Sequence, residues 1–256
     1  MEISRGPILR SFHQSNRSEP SSPRRLPPEA RRQGLLACAL RVFARRGIGA
    51  AHHAEIAAEA GVSVPTVFVY FPTRAALVDA VLAEVARFYI ALAEQAHASR
   101  RPAFEVVTAH VMAFAHSIDD HPDHATVLLN WMGAVRTEHW PRYQAGETRV
   151  LALLKRTLAR GQRQGSITRA IAPEDAARLI YAAAYPLAQQ KLSGRPEAES
   201  ARFFDAVMRL LASNLAWRAR EGSRTRGKKE PDRRTTDGPD RAQREVAVTL
   251  QQWLAQ

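Results

Sequence analysis

A single cysteine, Cys38, stands among the 256 residues, so the chain can form no internal disulfide and has no pair of thiols for redox exchange. Cys38 falls among Leu36, Ala39 and Leu40 on the apolar side of a helix. It reads as a small buried hydrophobe and not as a redox sensor, for which a resolving partner is missing. No run of 18 or more uncharged apolar residues occurs and no apolar signal core opens the chain. Nothing is therefore expected to cross or leave through a membrane, and a cytoplasmic location is expected. Also missing are a glycine-rich phosphate loop, a zinc-type Cys/His spacing, and a Ser/His/Asp set in recognisable context. Neither enzyme chemistry nor a cofactor is expected. No alternating pattern of strand type appears, which leaves an all-α fold.

What is there is a helical chain with 45% apolar residues, enough for a buried core in one or two domains. Charge is uneven. Residues 1–34 hold seven arginines against three acids and residues 218–244 hold ten basic residues against five acids, so most of the net +12 lies in these two stretches. Both are rich in Pro, Ser, Gly and Arg, too polar to offset the entropy of ordering, and residues 1–28 and 218–256 are expected to be disordered basic tails. Such tails either add salt-sensitive attraction to phosphates or are solvated extensions. Within the second, residues 241–256 place Val246, Leu250, Trp253 and Leu254 on one side of a further amphipathic helix that would dock back or recruit a partner.

Residues 54–82, AEIAAEAGVSVPTVFVYFPTRAALVDAVL, carry the most information. A first short helix from Ala54 to about Ala60 turns Ile56 and Ala57 inward and stops at Gly61, the residue that enters the left-handed conformation most cheaply. Ser63 is placed to cap a second helix by accepting the Thr66 N–H, with Pro65 in the first turn, where its missing N–H does no harm. Helices so close in sequence must cross steeply. The second then protrudes, as the recognition helix of a helix-turn-helix does.

This segment resembles the DNA-binding domain of the TetR (tetracycline repressor) family of transcriptional regulators. Gly61-Val62-Ser63, Pro65-Thr66, Tyr70-Phe71-Pro72, Arg74 and Leu77 stand at the family's motif positions, and residues 29–47 supply its first helix. The resemblance implies a three-helix head over residues 29–75 and a helical ligand-binding and dimerisation domain over 76–217. It also implies a homodimer on an inverted-repeat DNA operator, released by a small-molecule effector. DNA-facing candidates are His52, Ser63, Val64, Pro65, Thr66, Phe68, Val69, Tyr70 and Arg74. The chain departs from the family pattern at Val64, Phe68 and Val69, where polar reach is reduced. Thr66, Tyr70 and Arg74 would then anchor phosphates while the valines touch thymine methyls or read shape. His52 stands where the family has a threonine-led cap and either contacts a backbone phosphate in its place or is merely exposed. Tyr70 and Phe71 serve equally well as braces of the head.

Downstream, Phe104, Val107, Val111, Phe114 and Ile118 recur at helical spacing, as do Val150, Leu151, Leu154 and Leu158, ending near Gly161 and Gly165. Two last helices, about 173–192 and 196–217, carry stripes wider than one neighbour requires. By resemblance this pair forms the dimer interface, with Leu179, Ala183, Leu187, Phe203, Val207 and Leu211 as its residues. Ordinary intrachain core is the alternative. An effector site is expected among Phe114, His116, Trp131, Met132, Trp140, Tyr181 and Tyr185, large apolar bodies with a few polar tips. The region has no acidic excess, which disfavours a ligand with many positive charges. Six of nine histidines lie between His97 and His139, but His110 and His116 are six residues apart, not four, and no metal is expected. The rival to a ligand-responsive regulator, most simply a repressor, is a ligand-independent architectural DNA-binding protein.

Overall fold

The computed structural model describes residues 27–215, and among these it forms ten helices. Apart from Pro27 and Pro28, the expected tails at 1–28 and 218–256, with the helix expected over 241–256, lie outside the described residues.

The head is built from α1 (Pro28–Arg46), α2 (His53–Ala60) and α3 (Val64–Tyr70). Leu36, Phe43, Ile56, Val67 and Phe71 meet at its centre, each 5% exposed or less. The head is closed by the first turn of α4 (Arg74–His97), which begins cleanly because Thr73 Oγ1 accepts the Ala76 N–H at 3.0 Å. The same helix runs on into the body, so head and body share one continuous hydrophobic core.

The body adds α5 (Ala103–Asp120), α6 (Pro122–Met132), α7 (Trp140–Gln164), α8 (Pro173–Ala182), α9 (Ala184–Leu192) and α10 (Glu197–Leu215). α4 packs against α5 and α7, α7 against α8, and α6 reaches back to α1. α7 ends where Gly165 enters the left-handed region (φ 73°). Gly161, by contrast, lies inside α7, where a Cβ would come within 2.7 Å of Ala103 Cβ and 2.8 Å of Ile167 Cδ1. Glycine there permits close approach of two elements; it does not end the helix.

Two expectations are corrected. The helix expected over 173–192 is two helices broken at Ala183. Pro186 explains the break: it has no N–H for the Ala182 carbonyl, and its ring would strike that oxygen in a continuous helix. The cap of α3 also differs. Ser63 makes no side-chain bond to a helix N–H; its Oγ lies 2.8 Å from Thr66 Oγ1, and the Thr66 N–H donates to the Ser63 carbonyl at 3.0 Å.

Candidate DNA-binding surface and effector cavity

The turn between α2 and α3 closes through backbone alone. Gly61 adopts φ 63° and ψ 35°. The Val62 N–H donates to Ala57 O at 3.0 Å and the Gly61 N–H to Ala58 O at 3.3 Å, a Schellman arrangement that satisfies the helix's last carbonyls and sends the chain off steeply. Ion pairs hold α2 to α1: Glu59 accepts from Arg41 Nε at 2.8 Å and Arg45 Nη2 at 2.6 Å, and Glu55 from Arg46 Nε at 2.7 Å. The Arg41 guanidinium, then that of Arg45, holds the Glu59 carboxyl below the usual carboxylate range.

α3 stands outward from this base. Val67 alone is buried, Thr66 and Tyr70 are half-buried, and Ser63, Val64, Pro65, Phe68 and Val69 are exposed. Val69 is 75% exposed and Phe68 44%. His52 and Arg74, outside α3, are also exposed. His52 leads into α2 with its backbone N–H donating to Glu55 Oε2 at 3.3 Å. Arg74 has a task inside the head: its Nη2 donates to Ile48 O at 2.8 Å and Gly49 O at 2.7 Å, clasping the loop between α1 and α2.

His53 was no candidate in the sequence, yet it organises this surface. It is 7% exposed, its Nε2 lies 2.8 Å from Phe71 O, and its ring stacks on Phe68. The neighbouring exposed His52 disguised it, since two adjacent histidines give no signal as to which one turns inward. Phe71 is buried, with the Arg32 guanidinium 5.3 Å from its ring centre.

In the body, α4, α5, α6, α7 and the α8–α9 corner enclose a cavity with about 850 Å³ of empty space, including its open mouth. Phe114, Trp131, Met132 and Tyr181 line it, joined by Tyr89, His110 and Tyr143. The hydroxyls of Tyr143 and Tyr181 pair at 2.9 Å, and Trp131 Nε1 donates to His139 O at 3.1 Å. Burial pushes the Tyr143 and Tyr181 phenols up, and that of Tyr89 to about 12. It drives His110 and His97 down to about 4, Arg156 and Arg160 adding to the effect on His97, so both rings are neutral at pH 7.

Three expected effector residues stand elsewhere. His116, two residues beyond Phe114, is on the exposed side of α5, because two residues turn a helix by about 200°. Tyr185 lies past the break at Ala183 and is 38% exposed. Trp140 stands behind the lining, stacked on Tyr143 with ring centres 4.8 Å apart. Of the expected dimer residues, Leu187 turns into its own chain at 3% exposure and lines the cavity with Ala183 and Val207. Leu179 is 63% exposed, and Phe203 and Leu211 are half-buried. Among the described residues no three His, Cys, Asp or Glu side chains gather as metal ligands, and no helix is long and apolar enough to cross a membrane.

Residues 35–81 match the family model for bacterial regulatory proteins of the tetR family. The HTH-type transcriptional regulator LuxR of Vibrio harveyi is 33% identical over 187 residues, covering 73% of this chain and 91% of that protein. The chain belongs to the TetR family of transcriptional regulators. It is thus a DNA-binding helix-turn-helix regulator and not an enzyme, and the matched residues 35–81 include α2 and α3. Two solved structures share the fold of this TetR-family regulator. A transcriptional regulator from Saccharomonospora viridis in complex with choline superposes with a TM-score of 0.65 at 21% identity, over 73% of this chain and 98% of that one. FadR of Bacillus subtilis in complex with stearoyl-CoA does so with a TM-score of 0.62 at 18% identity, over 71% and 98%.

Proposed function

We propose that this TetR-family regulator is a homodimeric repressor that grips an inverted-repeat operator with α3 and lets go when a small, largely apolar molecule occupies the cavity. The observation that carries the reading is the course of α4. Its first turn clasps the head through Arg74, while Ala86, Tyr89, Ile90 and Leu92, farther along, line the cavity. A ligand that fits better when α4 is displaced must weaken DNA binding by its differential affinity for the two states. Two proteins of this fold carry choline and stearoyl-CoA in their structures, which supports a ligand-holding body. The partner copy would cover Leu179, Phe203 and Leu211, with Leu210, 65% exposed, beside them. Ser63, Val64, Pro65, Thr66, Phe68, Val69 and Tyr70 would face the major groove, flanked by His52.

Selection of bound fragments from random DNA, followed by footprinting, tests the first half. One short inverted repeat protected by a dimer is the expected result; a monomer, or uniform coating of DNA with a steep salt dependence, favours the architectural reading. A thermal-shift screen of apolar metabolites and drugs tests the second half, because a ligand of the folded state raises Tm by mass action. Compounds that raise Tm and leave the protein on its operator would remove the effector role.

A further inference from the structure

One charge in the cavity wall has no partner. α7 lays Tyr143, Gly146, Glu147 and Val150 along the cavity, the i, i+3, i+4 and i+7 positions of a single helical face. Thr148 and Arg149, on the other side of the helix, are exposed. Glu147 is half-buried, and its side chain makes no ion pair or hydrogen bond among the described residues. Its charge reaches the two paired tyrosines of the wall: burial comes first in pushing the Tyr143 and Tyr181 phenols up, and the Glu147 carboxylate adds to it for both. The other charge-bearing groups of the lining are accounted for. Arg142 is bound to the Asp79 carboxylate at 3.0 Å and to the Asp79 carbonyl at 2.7 Å. His110, held near 4 by burial, is uncharged at pH 7. The wall is left with one uncompensated negative charge.

A carboxylate drawn half out of water gains more from a counter-charge than one in the open, because the dielectric around it is lower. The same wall carries the rings of Tyr89, Phe114, Trp131, Tyr143 and Tyr181, and the electron-rich face of an aromatic ring also attracts a cation. Both features select the same sign of charge, while the apolar remainder of the lining selects an apolar body. The field of the whole molecule works the other way. The chain carries a net charge of +12, which draws anions, so a preference for cations has to come from the cavity itself. We propose that the cavity takes an organic monocation, an ammonium centre carried on an apolar body, and that Glu147 supplies its counter-charge. This rests on the effector reading above and names the chemical class of the ligand.

Three probes of matched body separate the chemistry: benzyltrimethylammonium, its neutral isostere neopentylbenzene, and the anion 2,2-dimethyl-3-phenylpropanoate. Each is titrated by ligand-observed NMR against the full chain and against Glu147→Gln, which keeps the size of the side chain and removes its charge. Circular dichroism and Tm follow the fold. The parent should bind the cation about tenfold tighter than the neutral probe, and the anion weakest. Glu147→Gln should cut that preference to about threefold or less, the share left to the rings, and should hold Tm at or above that of the parent, since the carboxylate it removes has no partner. A cation that binds no tighter than its neutral isostere, a preference that survives the substitution in full, or a marked fall in Tm overturns the role of Glu147 alone. Failure of every probe to bind the parent overturns the effector cavity as well.

Discussion

The ring of His53 lies flat on that of Phe68, centroids 4.1 Å apart and 4° from parallel, while its Nε2 meets the Phe71 carbonyl at 2.8 Å. One buried side chain at the start of α2 therefore fixes both the middle and the end of α3. His53→Ala removes the stack and leaves a carbonyl unsatisfied. We expect a loss of about 1–3 kcal/mol in urea denaturation and at least a tenfold loss of operator affinity. Unchanged stability would show that α3 is held by other contacts.

Val69 provides the opposite case. It is 75% exposed and carries no packing load. Val69→Ala should keep stability within about 0.5 kcal/mol of the parent but alter which base pairs are preferred in a repeat selection from random DNA. An identical selected sequence and affinity would place Val69 off the DNA.

Arg74 was expected from the sequence to hold a phosphate, and the structure also gives it the carbonyls of Ile48 and Gly49. Arg74→Ala should therefore lower Tm as well as DNA affinity, by about 1 kcal/mol in stability for two exposed charge-assisted bonds. A variant that loses DNA but keeps its Tm would assign Arg74 to phosphate contact alone.

Gly161→Ala sets a methyl against Ala103 and Ile167 at distances under 3 Å. Overpacking of this kind is worth about 1–3 kcal/mol of destabilisation, against a gain of up to about 1 kcal/mol in helix propensity. The expected outcome is a net loss of Tm. A rise would mean that α7 and the start of α5 separate easily.

His110 and His97 are held near 4 in the fold, below the histidine value of 6.5. The unfolded chain thus binds more protons between these limits. The stability tied to their neutrality is complete above about pH 6.5 and lost as the pH falls towards 4. For the more deeply buried His110, the loss from pH 7 to 4.5 is on the order of 2 kcal/mol. His110→Leu should flatten the fall of Tm over that window; an equally steep profile would show that carboxylates elsewhere govern it.

The head was legible because its signals are local. Gly61 and Pro65 each fix a backbone conformation within a turn of themselves, and the bounds of α2 and α3 follow from them, although the Ser63 hydroxyl turns to Thr66 Oγ1 and not to a helix N–H. Pro186 was just as local a signal, and it sets the break that divides α8 from α9 and turns Tyr185 away from Tyr181. The candidate effector cavity was legible only in part. Phe114, Trp131, Met132 and Tyr181 line it, but large apolar residues mark cavity and core alike, and which side of a helix faces empty space depends on how five helices cross. His116 and His110 illustrate this: same helix, same residue type, opposite sides. Leu187 shows the same limit for the partner surface, since a wide stripe does not say which of its edges meets its own chain.

α4 is 24 residues long, about 36 Å of stiff rod at 1.5 Å per residue, with a foot under the reading head and a shaft along the cavity. A swing of about 5° would carry one end of such a lever roughly 3 Å relative to the other, about the length of one hydrogen bond. On the proposed function, a guest that only nudges the shaft would lift α3 out of register with its groove.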